Sequence, residues 1–158
     1  MQNTNIHKLS WPRLGNLIFK IPKCEQNERI KKTHLDKTIY ATPGEIPKRI
    51  SADVAPDALY IKSQIASNLG SANKSLIKEN MLFTPLQREL FSIINNYQDL
   101  YYPERTFENA EEIRFVYCLH VVNHLLKSRI MVLHHNTKLQ NKDPQEYRDQ
   151  GSVRPKVC

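Results

Sequence analysis

The run ENAEEIRFVYCLHVVNHLLKSRIMVL (residues 108–133) decides how this chain is read. Asn109 suits a helix N-cap and Glu112 follows three residues later, as in a capping box. Glu111 and Glu112 put acids in the first turn, and Lys127 and Arg129 put bases toward the other end, as the helix dipole favours. Ile113, Phe115, Val116, Tyr117, Leu119, Val121, Val122, Leu125, Leu126, Ile130, Val132 and Leu133 nearly encircle the helix. A helix that is apolar on most sides is buried on most sides. The run therefore calls for a large packing partner. Residues 136–150 after it are polar and read as a loop, and the tail RDQGSVRPKVC (148–158) turns toward an extended run at Lys156–Val157.

Working upstream, residues 84–98 give the clearest helix start. Thr84 is a good N-cap, Pro85 fits the first helical position and Gln87 falls three residues after Thr84. Leu86, Leu90, Phe91, Ile93, Ile94 and Tyr97 recur at helical spacing and form one apolar face. Asp99–Thr106 connects the two helices, with Pro103 as the breaker. Residues 58–79 are weaker: Leu59, Ile61, Ile65 and Leu69 are spaced as on a short helix, which Gly70 should end.

Residues 23–57 read as a basic linker, with Pro43, Pro47 and Pro56 and a Thr-Pro-Gly turn at 42–44. Residues 1–10 are polar and read as frayed. Between them, SWPRLGNLIFKIP (10–22) is a short apolar island that holds the only tryptophan. Leu17–Ile21 fits one strand or a docking peptide. Trp11, Leu14, Leu17, Ile18 and Phe19 are expected to anchor on another surface; the alternative is a strand packed on the later helices. The division that results is a basic, mostly disordered or extended arm over 1–80 and a helical region over 81–158. The fold class is mainly α.

Charge is unevenly placed. Residues 1–79 hold 13 Lys+Arg against 7 Asp+Glu, whereas residues 80–158 hold 10 against 9. The basic excess therefore lies on the arm, where it suits phosphate backbones or acidic partners, or simply a solvated segment. The three cysteines, Cys24, Cys118 and Cys158, are far apart and lack CxxC spacing, which argues against a disulfide scaffold or a zinc ribbon and for a reducing compartment. No window holds 18 uncharged apolar residues, so no membrane span is expected.

Several chemistries find no support. None of Gly15, Gly44, Gly70 and Gly151 sits in a GxxxxGK[ST] or GxGxxG pattern, so neither standard nucleotide loop is present. His120 and His124 share a helix face at the spacing of a zinc pair. The string is HVVNH, however, with Val121 where a metalloprotease has glutamate, and helix-packing histidines bonded to neighbouring polar groups are the expectation. Cys118 lies two residues from His120, a spacing that does not face it on a helix. Glu104, Glu108, Glu111 and Glu112 read as solvated loop and first-turn acids.

The strings FTPLQRELFSIINNYQDLYYPERT (83–106), EEIRFVYCLHVVNHLLKSR (111–129) and YRDQGSVRPKV (147–157) resemble the U3 small nucleolar RNA-associated protein 25 family, also called digestive organ expansion factor. The match is close over about half the chain, and residues 10–22 are weakly similar to a segment upstream of the family's core. The resemblance implies a factor of the nucleolar small-subunit processome, which matures pre-18S ribosomal RNA around the U3 particle. It also implies a core like two RecA-like helicase lobes whose ATPase motifs have decayed. Phe83-Thr84-Pro85-Leu86-Gln87 is similar to the adenine-reading Q motif of DEAD-box helicases. Where a helicase places its phosphate loop, this chain has Phe107–Glu112, whose carboxylates repel phosphate. The family's usual RDQGF or RDQGL reads RDQGS here, with Ser152, and its upstream acidic region is absent. The expectation is a form truncated before the first core strand, in which the two helices lead into a RecA-like α/β domain.

The function expected is that of a non-enzymatic ribosome-biogenesis factor in the nucleolus, without cofactor, metal or small-molecule substrate. Lys8, Arg13, Lys20, Lys23, Arg29, Lys31, Lys32, Lys48 and Arg49 would contact pre-ribosomal RNA, U3 RNA or acidic partners. Trp11, Leu14 and Phe19 would dock other processome proteins or stack on bases. The alternative is a protein-interaction module, or a fragment without function, that binds no RNA of its own.

Overall fold

The computed structural model describes residues 4–23, 45–78 and 81–141. They form three helices and one two-stranded antiparallel sheet. Strands β1 (Thr4–Trp11) and β2 (Gly15–Pro22) make a hairpin. A 3-10 turn at Pro56–Leu59 precedes helices α1 (Ser63–Ala72), α2 (Pro85–Ile94) and α3 (Ala110–Asn141). None of these helices is long and apolar enough to cross a membrane.

The hairpin follows from Trp11-Pro12-Arg13-Leu14-Gly15. Pro12 opens the turn, and Gly15 takes φ +65°, a left-handed conformation that costs glycine little. Trp11 pairs with Gly15, and the register runs out to Thr4 opposite Pro22. The polar start that reads as frayed is thus the first strand, and 17–21 is part of the second. β1 hides because all its residues but Trp11 are exposed, so it shows no alternation of apolar and polar residues.

α2 starts as its sequence dictates. Gln87 N–H donates to Thr84 Oγ1 at 3.1 Å, Thr84 N–H donates to Gln87 Oε1 at 2.9 Å, and Pro85 sits in the first turn. It ends at Ile94, and Tyr97 leaves it with φ +56°, so Tyr97 lies beyond the helix rather than on its face. α1 runs through Gly70 to Ala72; no atom lies within 4 Å of where a Cβ would be, and nothing forces a stop there.

α3 departs most from the sequence reading. It extends to Asn141, well into the stretch 136–150 read as loop. Asn109 stands at the cap position, its carbonyl accepting Ile113 N–H at 3.1 Å, while its side chain ties the preceding loop: Oδ1 accepts from Thr106 N–H at 2.8 Å and Nδ2 donates to the Glu104 carbonyl at 2.9 Å. Nor is the helix buried on most sides. Val116, Leu119, Asn123, Lys127 and His135 are buried, while Tyr117, Val122, Ile130, Met131 and Leu133 are exposed.

The core draws on both sides of residue 80. Leu59, Ile61 and Leu69 join Phe83, Leu86, Leu90, Phe91, Val116 and Leu119 in one cluster, with Leu14, Ile50 and Val54 packed against it. Phe83 stacks on Phe91 at 5.3 Å between ring centroids and meets Phe115 edge-on at 6.4 Å. The described parts of the expected arm are therefore folded onto α2 and α3.

Candidate nucleic-acid interface

Gln87, the glutamine that resembles an adenine reader, is fully committed to the fold. Its side chain and that of Asn73 are both 0% exposed and exchange two amide hydrogen bonds, of 2.7 and 2.9 Å. Gln87 Oε1 also accepts from Thr84 N–H, and Asn73 Nδ2 also donates to the Leu82 carbonyl at 2.9 Å. Thr84 Oγ1 donates to Glu112 Oε2, so an acid of α3 closes the N-terminus of α2. No edge of the Gln87 amide is left for a base. Buried amides demand such partners, because an unmade bond costs about 1–3 kcal/mol.

Other polar groups of α2 hold the upstream chain. Glu89, 2% exposed, accepts the backbone N–H groups of Arg13 and Leu14 on one carboxylate oxygen, each at 2.9 Å. Its other oxygen lies 3.5 Å from Arg49 Nη1. Ser92 Oγ accepts Ile50 N–H at 3.0 Å, and Asn95 Nδ2 donates to the Leu59 carbonyl at 3.1 Å. Asn123 of α3 completes the set: it accepts from Lys62 N–H at 3.0 Å and donates to the Tyr60 carbonyl at 3.2 Å, fixing a turn where Tyr60 has φ +54°.

The hairpin sorts the residues expected to touch RNA or partners. Directly opposed residues share a sheet face, so Ile6, Lys8, Ile18 and Lys20 lie on one side, and Leu9, Leu17, Phe19 and Trp11 on the other. Lys8 and Lys20 are diagonal neighbours on their face; both are exposed, as are Lys23, Lys48 and the Arg13 side chain at the hairpin tip. Arg49 is half exposed beside Glu89. Trp11 is buried, with its ring 6.4 Å from that of Phe19, and Leu14 packs on the core. Arg29, Lys31 and Lys32, like the Thr-Pro-Gly turn and the tail 147–157, lie outside the described residues.

The family model described as "UTP25, NTP hydrolase-like domain" matches residues 97–158. The chain is 39% identical to the human U3 small nucleolar RNA-associated protein 25 homolog over 96% of its own length. It is 36% identical to the Xenopus tropicalis homolog over 94% of its length, and 45% identical to the Sordaria macrospora protein 25 over 88%. The chain belongs to the U3 small nucleolar RNA-associated protein 25 family. It spans 19% of the human relative and 17% of the fungal one. No solved structure matches it.

In this member of the protein 25 family the paired histidines pack as polar helix residues. Tyr97 Oη lies 3.1 Å from His124 Nδ1, and the Tyr97 ring meets His120 and His124 edge-on at 5.0 and 5.6 Å. Burial, then His124 and Lys127, hold His120 below its usual pKa. Among the described residues no three His, Cys, Asp or Glu side chains gather as metal ligands. Lys127 is buried one turn beyond Asn123; burial and the charge of Lys62 lower its pKa to about 8.

Sequence reasoning missed Asn73, Glu89, Ser92, Asn95 and Asn123. A signal existed for two of them. Glu89 directly precedes Leu90 and Phe91, and Asn123 interrupts an apolar run, so each is a polar residue set within a face that burial claims.

Proposed function

We propose that this chain is a non-enzymatic part of a nucleolar ribosome-biogenesis factor, supporting pre-18S ribosomal RNA processing by binding RNA and neighbouring small-subunit processome proteins. The names of its relatives support the setting. The observation that carries the non-enzymatic reading is Gln87: the amide that would read adenine is sealed against Asn73 and Thr84. On this reading α2 and α3 lead into a RecA-like domain that keeps a helicase shape without its chemistry. Phosphate contacts fall to Lys8, Arg13, Lys20, Lys23, Lys48 and Arg49, together with Arg29, Lys31 and Lys32, and these bases serve acidic partners equally.

Millimolar magnesium–ATP should leave the melting temperature of the 158-residue chain unchanged and should not be hydrolysed. A clear upward shift or any turnover that follows the pure protein contradicts the reading. RNA affinity should fall by at least about tenfold between about 50 and 200 mM salt, as counterion release requires. A flat response refutes phosphate-led binding.

A second reading rests on α3. Its exposed Val122, Ile130, Met131 and Leu133 suit a protein-interaction module that pairs with a larger body and ignores RNA. Absence of RNA binding at about 50 mM salt, where phosphate-led binding is strongest, would favour it.

A further inference from the structure

The hairpin has one open edge. β1 and β2 make the whole of its sheet, and they pair residue for residue from Thr4 opposite Pro22 to Trp11 opposite Gly15. Across a groove, β2 faces the segment that leaves α2, with Phe19 on one wall and Tyr101 on the other. β1 is exposed at every residue but Trp11. In an antiparallel ladder every second residue turns its N–H and C=O away from the partner strand. Beyond the ladder to β2, no backbone group of Asn5–Ser10 has a hydrogen-bond partner among the described residues. Natural sheets blunt such an edge with a short strand, a proline or a bulge. β1 runs for eight residues with neither proline nor bulge.

The side chains select what fits this edge. Residues 4–23 hold Lys8, Arg13, Lys20 and Lys23 and no acid. On the outer face Ile6 stands opposite Lys20 and Lys8 opposite Ile18, and the two isoleucines are 60% and 61% exposed. A strand laid along β1 therefore meets an apolar residue and, two positions on, a base. Its matching face needs an apolar residue and, two positions away, an acid, because opposite charges across a ladder attract and like charges repel. A second copy of the hairpin has no acid to offer. A phosphate backbone would use the lysines but leave the isoleucines and the open backbone edge without a role.

We propose that β1 takes up an extended, acidic protein segment as a third strand, with an acid against Lys8 and an apolar residue against Ile6. Main-chain hydrogen bonds hold the segment, and the Lys8 row sets its register. The inference rests on the partner-binding half of the reading above and deepens it by naming the partner's chemistry.

The test titrates the 158-residue chain with the labelled, end-capped peptide Val-Thr-Glu-Thr-Val-Thr-Glu and with its counterpart in which lysine replaces both glutamates. The acidic peptide should bind at least about tenfold more tightly. Lys8→Glu, at an exposed position, should reverse that preference, and Lys20→Glu should not. Two further forms of the acidic peptide carry N-methyl groups on the threonines or on the other residues, which removes the N–H donors of one edge or of the other. Only one edge of an added strand faces β1, so one form should lose at least about tenfold in affinity and the other should keep it. Equal binding of the acidic and basic peptides, reversal by Lys20→Glu instead of Lys8→Glu, or equal binding of the two methylated forms overturns the third strand. Single-stranded oligo(U) in the same buffer separates this inference from the wider reading. RNA bound without peptide overturns the third strand alone; neither bound overturns the third strand and the RNA reading together.

Discussion

α2 and α3 reverse the order of burial that their sequences suggest. α3 is 32 residues long and apolar on most sides over 113–133, yet Val122, Ile130, Met131 and Leu133 face solvent. α2 is ten residues long and carries Gln87, Glu89 and Ser92, yet these three polar residues are as buried as Leu90 and Phe91. Burial follows the supply of partners. α2 sits where the hairpin, the 45–50 segment, the Leu59 turn and α1 converge, and a polar group meets each of them. α3 has a packed stripe through Val116, Leu119, Asn123 and Lys127 and more apolar surface than the described chain covers. A short helix rich in polar brackets organises this fold more than a long apolar one.

The comparison can be broken hardest at Gln87. Gln87→Leu orphans Asn73 and Thr84 N–H together, so urea denaturation should show a loss of about 3 kcal/mol. The double variant Asn73→Leu/Gln87→Leu should lose less than the sum of the two single changes, because neither amide is then left alone. Additive losses would mean the pair is not a unit.

Glu89→Gln should cost about 2 kcal/mol, since an amide is a weaker acceptor for two backbone N–H groups than a carboxylate. The loss should be local: amide protection falls over 4–22 while α2 keeps its own. Equal loss across the chain would mean Glu89 supports the helix rather than docking the hairpin.

Lys127 sharpens the contrast through pH. Its pKa falls from 10.5 to about 8 on folding, so between those values the unfolded chain holds more protons and stability rises with pH. Below about pH 8 the charged, buried amine is a cost. Lys127→Met should therefore gain on the order of 1 kcal/mol over wild type at pH 7, and this gain should fade by about pH 10. A gain that is the same at both pH values contradicts the assignment.

The smallest effect is expected at the outer face of α3. Leu133→Gln should change stability by less than about 0.5 kcal/mol, because the side chain is already exposed. A loss of 2 kcal/mol or more would show that the face is covered in solution.

Local chemistry was legible; tertiary chemistry was not. The Thr84–Pro85–Gln87 start of α2 stands in the sequence, because a capping box is made by neighbours in the chain. The same glutamine's bond to Asn73, 14 residues away, cannot be read from spacing. The hairpin had a turn signal in Pro12 and Gly15, but β1 is exposed along its whole length except Trp11 and shows no regular period of two. The end of α3 was misplaced because HHNTKLQN (134–141) is polar without being a helix breaker. At the candidate site, basic positions such as Lys8 and Lys20 were nameable from charge. Their sharing of one hairpin face, and the meeting of Phe19 with Tyr101 across a groove, depend on register and docking.

Amide hydrogen exchange on the 158-residue chain tests the central claim most directly. The account predicts the slowest exchange at 87–94 in α2, protection at 116–127 of α3, and decline along α3 beyond Lys127. Uniform protection of α3 above that of α2, or exchange at the unfolded rate throughout, would contradict the claim that α2 and its polar brackets hold this structure together.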